Sequence, residues 1–318
     1  MTFSRAMNRR EAVVTATGIA AGILSHMSLT ADEGNQIPGD LPWIDAHSHI
    51  WTSDTSRFKL REGVRVDQLA PRSFTDDELM AVAMPEGVGR VVLIQHYPYH
   101  GWDNGYLIDA WTRHPDRFRI VGMIDDSLPD ADLRMKDLLQ KGVTGLRIGP
   151  RDNKTEWLSS PGMKLMWKTS AETRQSMCCL INPSDLSSVD AMCAAYPDTP
   201  VVIDHFARIG ISGNVEESDL VSLCGLARHK HTKIKISAYY ALGKKQSPHH
   251  ELIPMIRRLF EVFGPDRLMW ASDCPYQLGQ GSTYSSSIRL IRDHIDFVTK
   301  EDRRKLLCST AETTFFFR

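Results

Sequence analysis

After Pro42 the chain repeats one alternation eight times: a short β-branched or apolar run, then a longer stretch with helical periodicity. The runs are Trp43–Ile50, Arg90–Tyr97, Arg119–Asp125, Gly145–Pro150, Ser176–Asn182, Pro200–His205, Lys233–Ser237 and Leu268–Asp273. Between them lie helical patterns such as Ala131–Lys141, stopped by Gly142, and Glu251–Phe263, stopped by Gly264. Thr75-Asp76-Asp77-Glu78 has the form of a capping box that opens another. Strands separated by helices predict βαβ units and a parallel sheet, and eight units in about 280 residues predict one (β/α)₈ barrel. A doubly wound open sheet is the competing architecture, but no glycine-rich phosphate turn comes after the first run.

Residues 1–38 read differently. Arg9-Arg10 precede an uncharged small-residue run, Ala12 to Leu24, which is the layout of a twin-arginine export signal. The run is short for a membrane span, which needs about 20 apolar residues. The expected organisation is therefore a leader and linker over 1–38, with either Met1 or Met7 as its start, and a single α/β barrel over 39–318. The expected location is the periplasm or an equivalent compartment.

A net charge of −1, with no Lys/Arg run after the leader, excludes a nucleic-acid or anionic-membrane surface as the organising feature. The expected partner is a small-molecule substrate, and nothing in the chain fixes an oligomeric state. The six cysteines show no CxxC spacing and sit mostly in apolar contexts, as buried small hydrophobes do.

Barrel chemistry collects at the C-terminal strand ends, and there the chain is rich in titratable groups. His47 and His49 come from run one, on one face of a strand. Gln95 and His96 come from run two, Arg147 from run four, His205 from run six and Asp273 from run eight. Lys235 lies within run seven and Arg151 on the loop after run four. Tyr239 and Tyr240 alternate faces, so one of them meets substrate, and Tyr239 is assigned to the pocket. Asp273 and His205 are the expected catalytic pair, with His47, His49 and Asp273 as candidate metal ligands. Arg147, Arg151, Lys235, Gln95, His96 and Tyr239 are the expected substrate contacts, with Arg147 suited to a planar carboxylate.

At these residues the sequence resembles the amidohydrolase superfamily, in the branch that holds 2-pyrone-4,6-dicarboxylate lactonase and sugar lactonases. The matching pieces run in family order: Ile44-Asp45-Ala46-His47-Ser48-His49, Gly87 to Gln95, His114-Pro115-Asp116-Arg117-Phe118, Gly145-Leu146-Arg147, Val201 to His205, Ile234-Lys235-Ile236-Ser237 and Pro265 to Pro275. The resemblance implies a TIM barrel in which the first-strand HxH, a fifth-strand His and the eighth-strand Asp hold a divalent metal. Here the fifth run carries Cys178-Cys179-Leu180-Ile181-Asn182 and no His. The expectation is thus one divalent ion, zinc or manganese, weakly held or dispensable. The implied activity is hydrolysis of a lactone or related cyclic ester, with Asp273 as base and His47, His49 and His205 polarising the carbonyl. Alternatives are a metal-dependent decarboxylase acting on a carboxylated aromatic or muconate-type acid, and an exported binding protein without turnover.

Overall fold

The computed structural model describes residues 43–150, 157–279 and 281–317. The leader and Arg151 lie outside these described residues.

Eight parallel strands form one sheet in the order of the chain. They are β1 (Trp43–Ser48), β2 (Val88–Ile94), β3 (Phe118–Gly122), β4 (Val143–Ile148), β5 (Ser176–Cys179), β6 (Val201–Ile203), β7 (Thr232–Ile236) and β8 (Leu268–Trp270). The sheet curls back on itself as a nearly closed TIM barrel. Its last seam lies just beyond β8, where the Asp273 amide donates to His47 O at 2.8 Å and the His49 amide to Cys274 O at 2.7 Å.

Both faces of the strands are covered, which is why they read as nearly continuous apolar runs. Val92 and Ile94 point into the barrel with Ile44, Val121, Val202 and Met269. Val91 and Leu93 point outward, against a shell that includes Leu79, Leu107, Met135, Met166 and Leu259. The bottom of the barrel is filled by the C-terminal helix Thr310–Phe315, whose Phe315 joins the inner cluster.

The helices start and stop where their sequences direct. Thr75 Oγ1 accepts from the Glu78 amide at 3.2 Å and Glu78 Oε2 accepts from the Thr75 amide at 2.7 Å, the expected capping box at the start of Asp76–Ala83. The helix Ala131–Leu139 stops before Gly142, whose φ of 79° turns the chain into β4. Among the described residues no helix is long and apolar enough to cross a membrane.

Strand ends are the main departure from the sequence reading. β5, β6 and β8 stop at Cys179, Ile203 and Trp270, two or more residues before the polar residues expected at their tips. The chain leaves β6 through a left-handed turn. His205, Phe206, Ala207 and Arg208 all have φ between 53° and 59°. For residues with a Cβ that conformation costs about 1 kcal/mol or more each, and such strain persists only where the surroundings enforce it. It lies at the mouth of the barrel.

Candidate active site

Three donor atoms meet at the centre of the C-terminal mouth. His47 Nε2 and His49 Nε2 are 3.3 Å apart, and each is 3.4 Å from Asp273 Oδ1. The His205 ring completes the group, with Nε2 3.9 Å from the same oxygen. Asp273 stands in the left-handed region at φ 61°, which turns its carboxylate across the barrel axis. Its other oxygen, Oδ2, accepts a 2.8 Å hydrogen bond from the Tyr240 hydroxyl.

Each ring is oriented from behind. His49 Nδ1 lies 3.0 Å from Ile94 O, which can only accept, so the ring proton is on Nδ1 and the Nε2 lone pair faces the centre. His205 Nδ1 is 2.8 Å from Ser237 Oγ. His47 Nδ1 faces a buried pair, Lys235 Nζ at 3.2 Å and Asp204 Oδ1 at 3.5 Å. Behind β1, Asp45 accepts from Ser48, Ser272, Tyr284 and the His47 amide, and so ties the HxH segment to the residues after β8.

Burial shapes the protonation states. It drives His205 down to about 4 and His96 down to about 2, so both are neutral near pH 7. His47 and His49 are also lowered by burial, His47 further by the Lys235 ammonium. Burial alone would raise Asp273, but the His205 and His47 rings around Oδ1 outweigh it, and the carboxyl stays below its ordinary range. Asp204 has the same sign: burial opposes its charge, and the Lys235 ammonium holds it ionised.

A cavity of about 550 Å³ opens above this centre. His49, Gln95, His96, Arg147, His205 and Asp273, all expected at the mouth, do line it. Arg147 reaches inward until Nη1 is 3.4 Å from His49 Nε2, and its Nε is buried without a partner. Gln95 Nε2 donates to Gly101 O at 3.1 Å, while Oε1 is left unpaired. His96 stacks on Tyr276 and contacts its hydroxyl through Nε2.

Two expected contacts fall elsewhere. Lys235 is fully buried below the cavity floor, its ammonium 3.0 Å from Asp204 and 5.3 Å from the centre of the Phe315 ring, so it supports the site from beneath and does not contact substrate. Tyr239 is also buried, with its hydroxyl donating to Ile236 O at 2.8 Å. Ala238 enters the left-handed region at φ 58° and ends the strand alternation, so Tyr240 is the tyrosine turned to the cavity. At the fifth strand the inward sequence is Cys178 then Leu180, and Asn182 lies beyond the rim, where its Oδ1 accepts from Arg208 at 3.3 Å. The residue standing where a fourth donor would come is therefore Leu180.

The sequence reading also missed Arg208, a second guanidinium on the cavity wall. Its proton affinity is lowered by burial and then by the nearby Arg147. Its only signal was the DHFAR segment itself, in which no strand or helix rule predicts a left-handed turn. Asp204 was visible beside His205 but carried no assigned role.

The centre fits a divalent ion. Metal–ligand bonds of 2.0–2.1 Å in a tetrahedral shell place donors about 3.3 Å apart, and the three donors here are 3.3–3.4 Å apart. His47, His49 and Asp273 are the residues that could hold it.

The sequence from 44 to 317 matches the family model described as amidohydrolase. An L-fucono-1,5-lactonase of Burkholderia ambifaria is 27% identical over 242 residues, 73% of this chain and 80% of that protein. A 4-sulfomuconolactone hydrolase of Rhizobium radiobacter is 28% identical over 234 residues, 73% of this chain and 75% of its own length. Among solved structures, a probable 2-pyrone-4,6-dicarboxylic acid hydrolase from Acinetobacter baumannii with bound citric acid superposes with a TM-score of 0.74 at 21% identity. That match covers 87% of this chain and all of the other.

Proposed function

This chain belongs to the amidohydrolase family, and on that premise we propose that it is a hydrolase that opens a small lactone bearing an anionic group. The observation that carries the reading is a cavity that, among the described residues, is lined by two guanidiniums, Arg147 and Arg208, with the imidazoles of His49, His96 and His205 and a single carboxylate, Asp273. The named relatives act on lactones, which supports an ester ring as the reacting group. The cation excess supports a carboxylate or similar anion as its handle.

In this mechanism the anion binds Arg147 and Arg208 and turns the ring carbonyl toward the histidines. Asp273, fixed through Oδ2 by Tyr240, takes a proton from water as the water oxygen bonds to the carbonyl carbon. His205 donates to the carbonyl oxygen as it gains charge. The ring C–O bond then breaks, and Asp273 returns the proton to the leaving oxygen, giving a hydroxy acid. A carboxyl held below its ordinary range gives that proton up readily. With a divalent ion on His47, His49 and Asp273, the chemistry it supplies is Lewis-acid activation of carbonyl or water. Leu180 in place of a fourth donor weighs against the decarboxylase alternative.

A panel of carboxylated and neutral lactones, followed by proton release at constant pH, tests the reading. The carboxylated members should turn over best. Arg147→Met should raise their KM by about tenfold or more, the scale of a lost charge-assisted hydrogen bond, while leaving a neutral lactone nearly unchanged. Equal losses on both would mean that Arg147 serves the carbonyl or the fold, and no turnover across the panel would remove the lactonase assignment.

A further inference from the structure

Lys235 and Asp204 form a fully buried ion pair that nothing in the hydrolytic scheme uses. An ammonium and a carboxylate withdrawn from water need each other. That explains why they are paired, but not why they lie against one nitrogen of a site histidine.

His47 Nδ1 has two polar neighbours, Lys235 Nζ at 3.2 Å and Asp204 Oδ1 at 3.5 Å. An ammonium can only donate, and a neutral imidazole carries one proton. The nearer contact therefore makes Nδ1 an acceptor and leaves the ring proton on Nε2. There it points at Asp273 Oδ1, 3.4 Å away, and at the His49 Nε2 lone pair, 3.3 Å away. Two bare nitrogen lone pairs at that separation would repel, and this proton removes the conflict. Metal binding demands the opposite arrangement: Nε2 must offer a lone pair, which moves the proton to Nδ1, directly against the ammonium.

We infer that Lys235 is a positioning residue that keeps His47 in its Nε2–H form, and that it thereby sets the affinity of the His47, His49 and Asp273 centre for divalent ions low. The Lys235 ammonium cannot swing away. It is closed in by Phe315 below and Asp204 beside it. With its proton on Nε2, His47 is a hydrogen-bond donor for Asp273 and for a substrate carbonyl. The site thus has a resting arrangement built from the chain's own protons, and an ion must displace that arrangement to bind. The missing fifth-strand donor lowers affinity as well, but only Lys235 predicts that a change beneath the site, touching no ligand, will raise it.

The test uses the full chain stripped with chelator and titrated with Zn²⁺ against a chromophoric competitor, and it needs no substrate. Lys235→Met should bind Zn²⁺ about 10–100-fold more tightly than the parent, the usual range for outer-sphere changes. Because that variant leaves a buried carboxylate without its cation, the Asp204→Asn/Lys235→Met double variant carries the test if the single one does not fold. The amide oxygen introduced at position 204 can still accept from Nδ1–H of His47. Lys235→Arg keeps a permanent cation against Nδ1 and should bind no more tightly than the parent. Long-range ¹⁵N–¹H spectra of the metal-free parent, with His47 identified by its loss in His47→Gln, should show the proton on Nε2. The inference is overturned by a proton on Nδ1 in the parent, by unchanged Zn²⁺ affinity in the folded double variant, or by equal tightening in Lys235→Arg.

Discussion

Asp273 has two oxygens with different duties. Oδ2 is held by the Tyr240 hydroxyl at 2.8 Å, while Oδ1 faces the three imidazoles of the floor. Asp273→Asn keeps the size of the side chain and an acceptor for Tyr240, yet it cannot take a proton. Turnover on a carboxylated lactone should fall by about two to four orders of magnitude, the usual contribution of a positioned base. KM should move far less, because Arg147 and Arg208 remain in place. Initial rates with far-ultraviolet circular dichroism as the folding control would check this, and near-normal turnover in the folded variant would take Asp273 out of the proton transfer. The neighbouring acid at the sixth strand shows why a shared sequence neighbourhood is not a shared role. Asp204 and His205 are adjacent, yet one is sealed under the floor with Lys235 and the other lines the cavity.

Among the elements, the loop from the helix Ala131–Leu139 into β4 depends on one position. Gly142 has φ 79°, and a Cβ there would lie 2.5 Å from the Trp111 indole. Gly142→Ala therefore combines backbone strain with overpacking, and should cost about 2–4 kcal/mol on the usual scale of the two effects. The check is the urea midpoint, with the slope expected to stay unchanged. This boundary was readable in the sequence because Gly after a helical pattern is a local signal. The capping box at Thr75 and all eight strands were readable for the same reason: each depends on residues within a few positions of one another. The strand exits were not readable. The run of positive φ from His205 to Arg208 and the turn at Ala238 contain no glycine, so local rules extend the strands through them. Continued alternation then assigns Tyr239 in place of Tyr240. Tertiary packing at the mouth imposes those turns, and they decide which side chains reach the cavity. The converging histidines and Asp273 survived this error because the β1–β8 seam holds them directly.

At the scale of the whole molecule, an apolar barrel closed from below by Phe315 holds four neutral imidazoles near its upper end, and this ties folding stability to pH. His47, His49, His96 and His205 are all lowered first by burial, His205 to about 4 and His96 to about 2. In the unfolded chain each titrates near 6.5. Between about pH 6.5 and 4 the unfolded state therefore binds protons that the native state refuses. Stability is fully present above about 6.5 and is lost as pH falls through that window, by at most about 1.4 kcal/mol per pH unit for each histidine. The carboxylates act lower down. Asp204 and Asp273 are depressed below the ordinary carboxylate value near 3.8, so their contribution is present above that value and is lost only beneath it. The acid-induced loss between about pH 6.5 and 4 thus belongs to the imidazoles, since Asp45, raised by burial, binds its proton more readily in the native state and acts with the opposite sign. Urea unfolding at pH 7.5, 6.0 and 5.0 should show a steady loss with acidification, and His205→Gln should flatten the slope by about the share of one proton. A stability profile level from pH 7.5 to 5.0 would mean that these rings take up protons in the folded state, and the neutral floor assigned to the cavity would not stand.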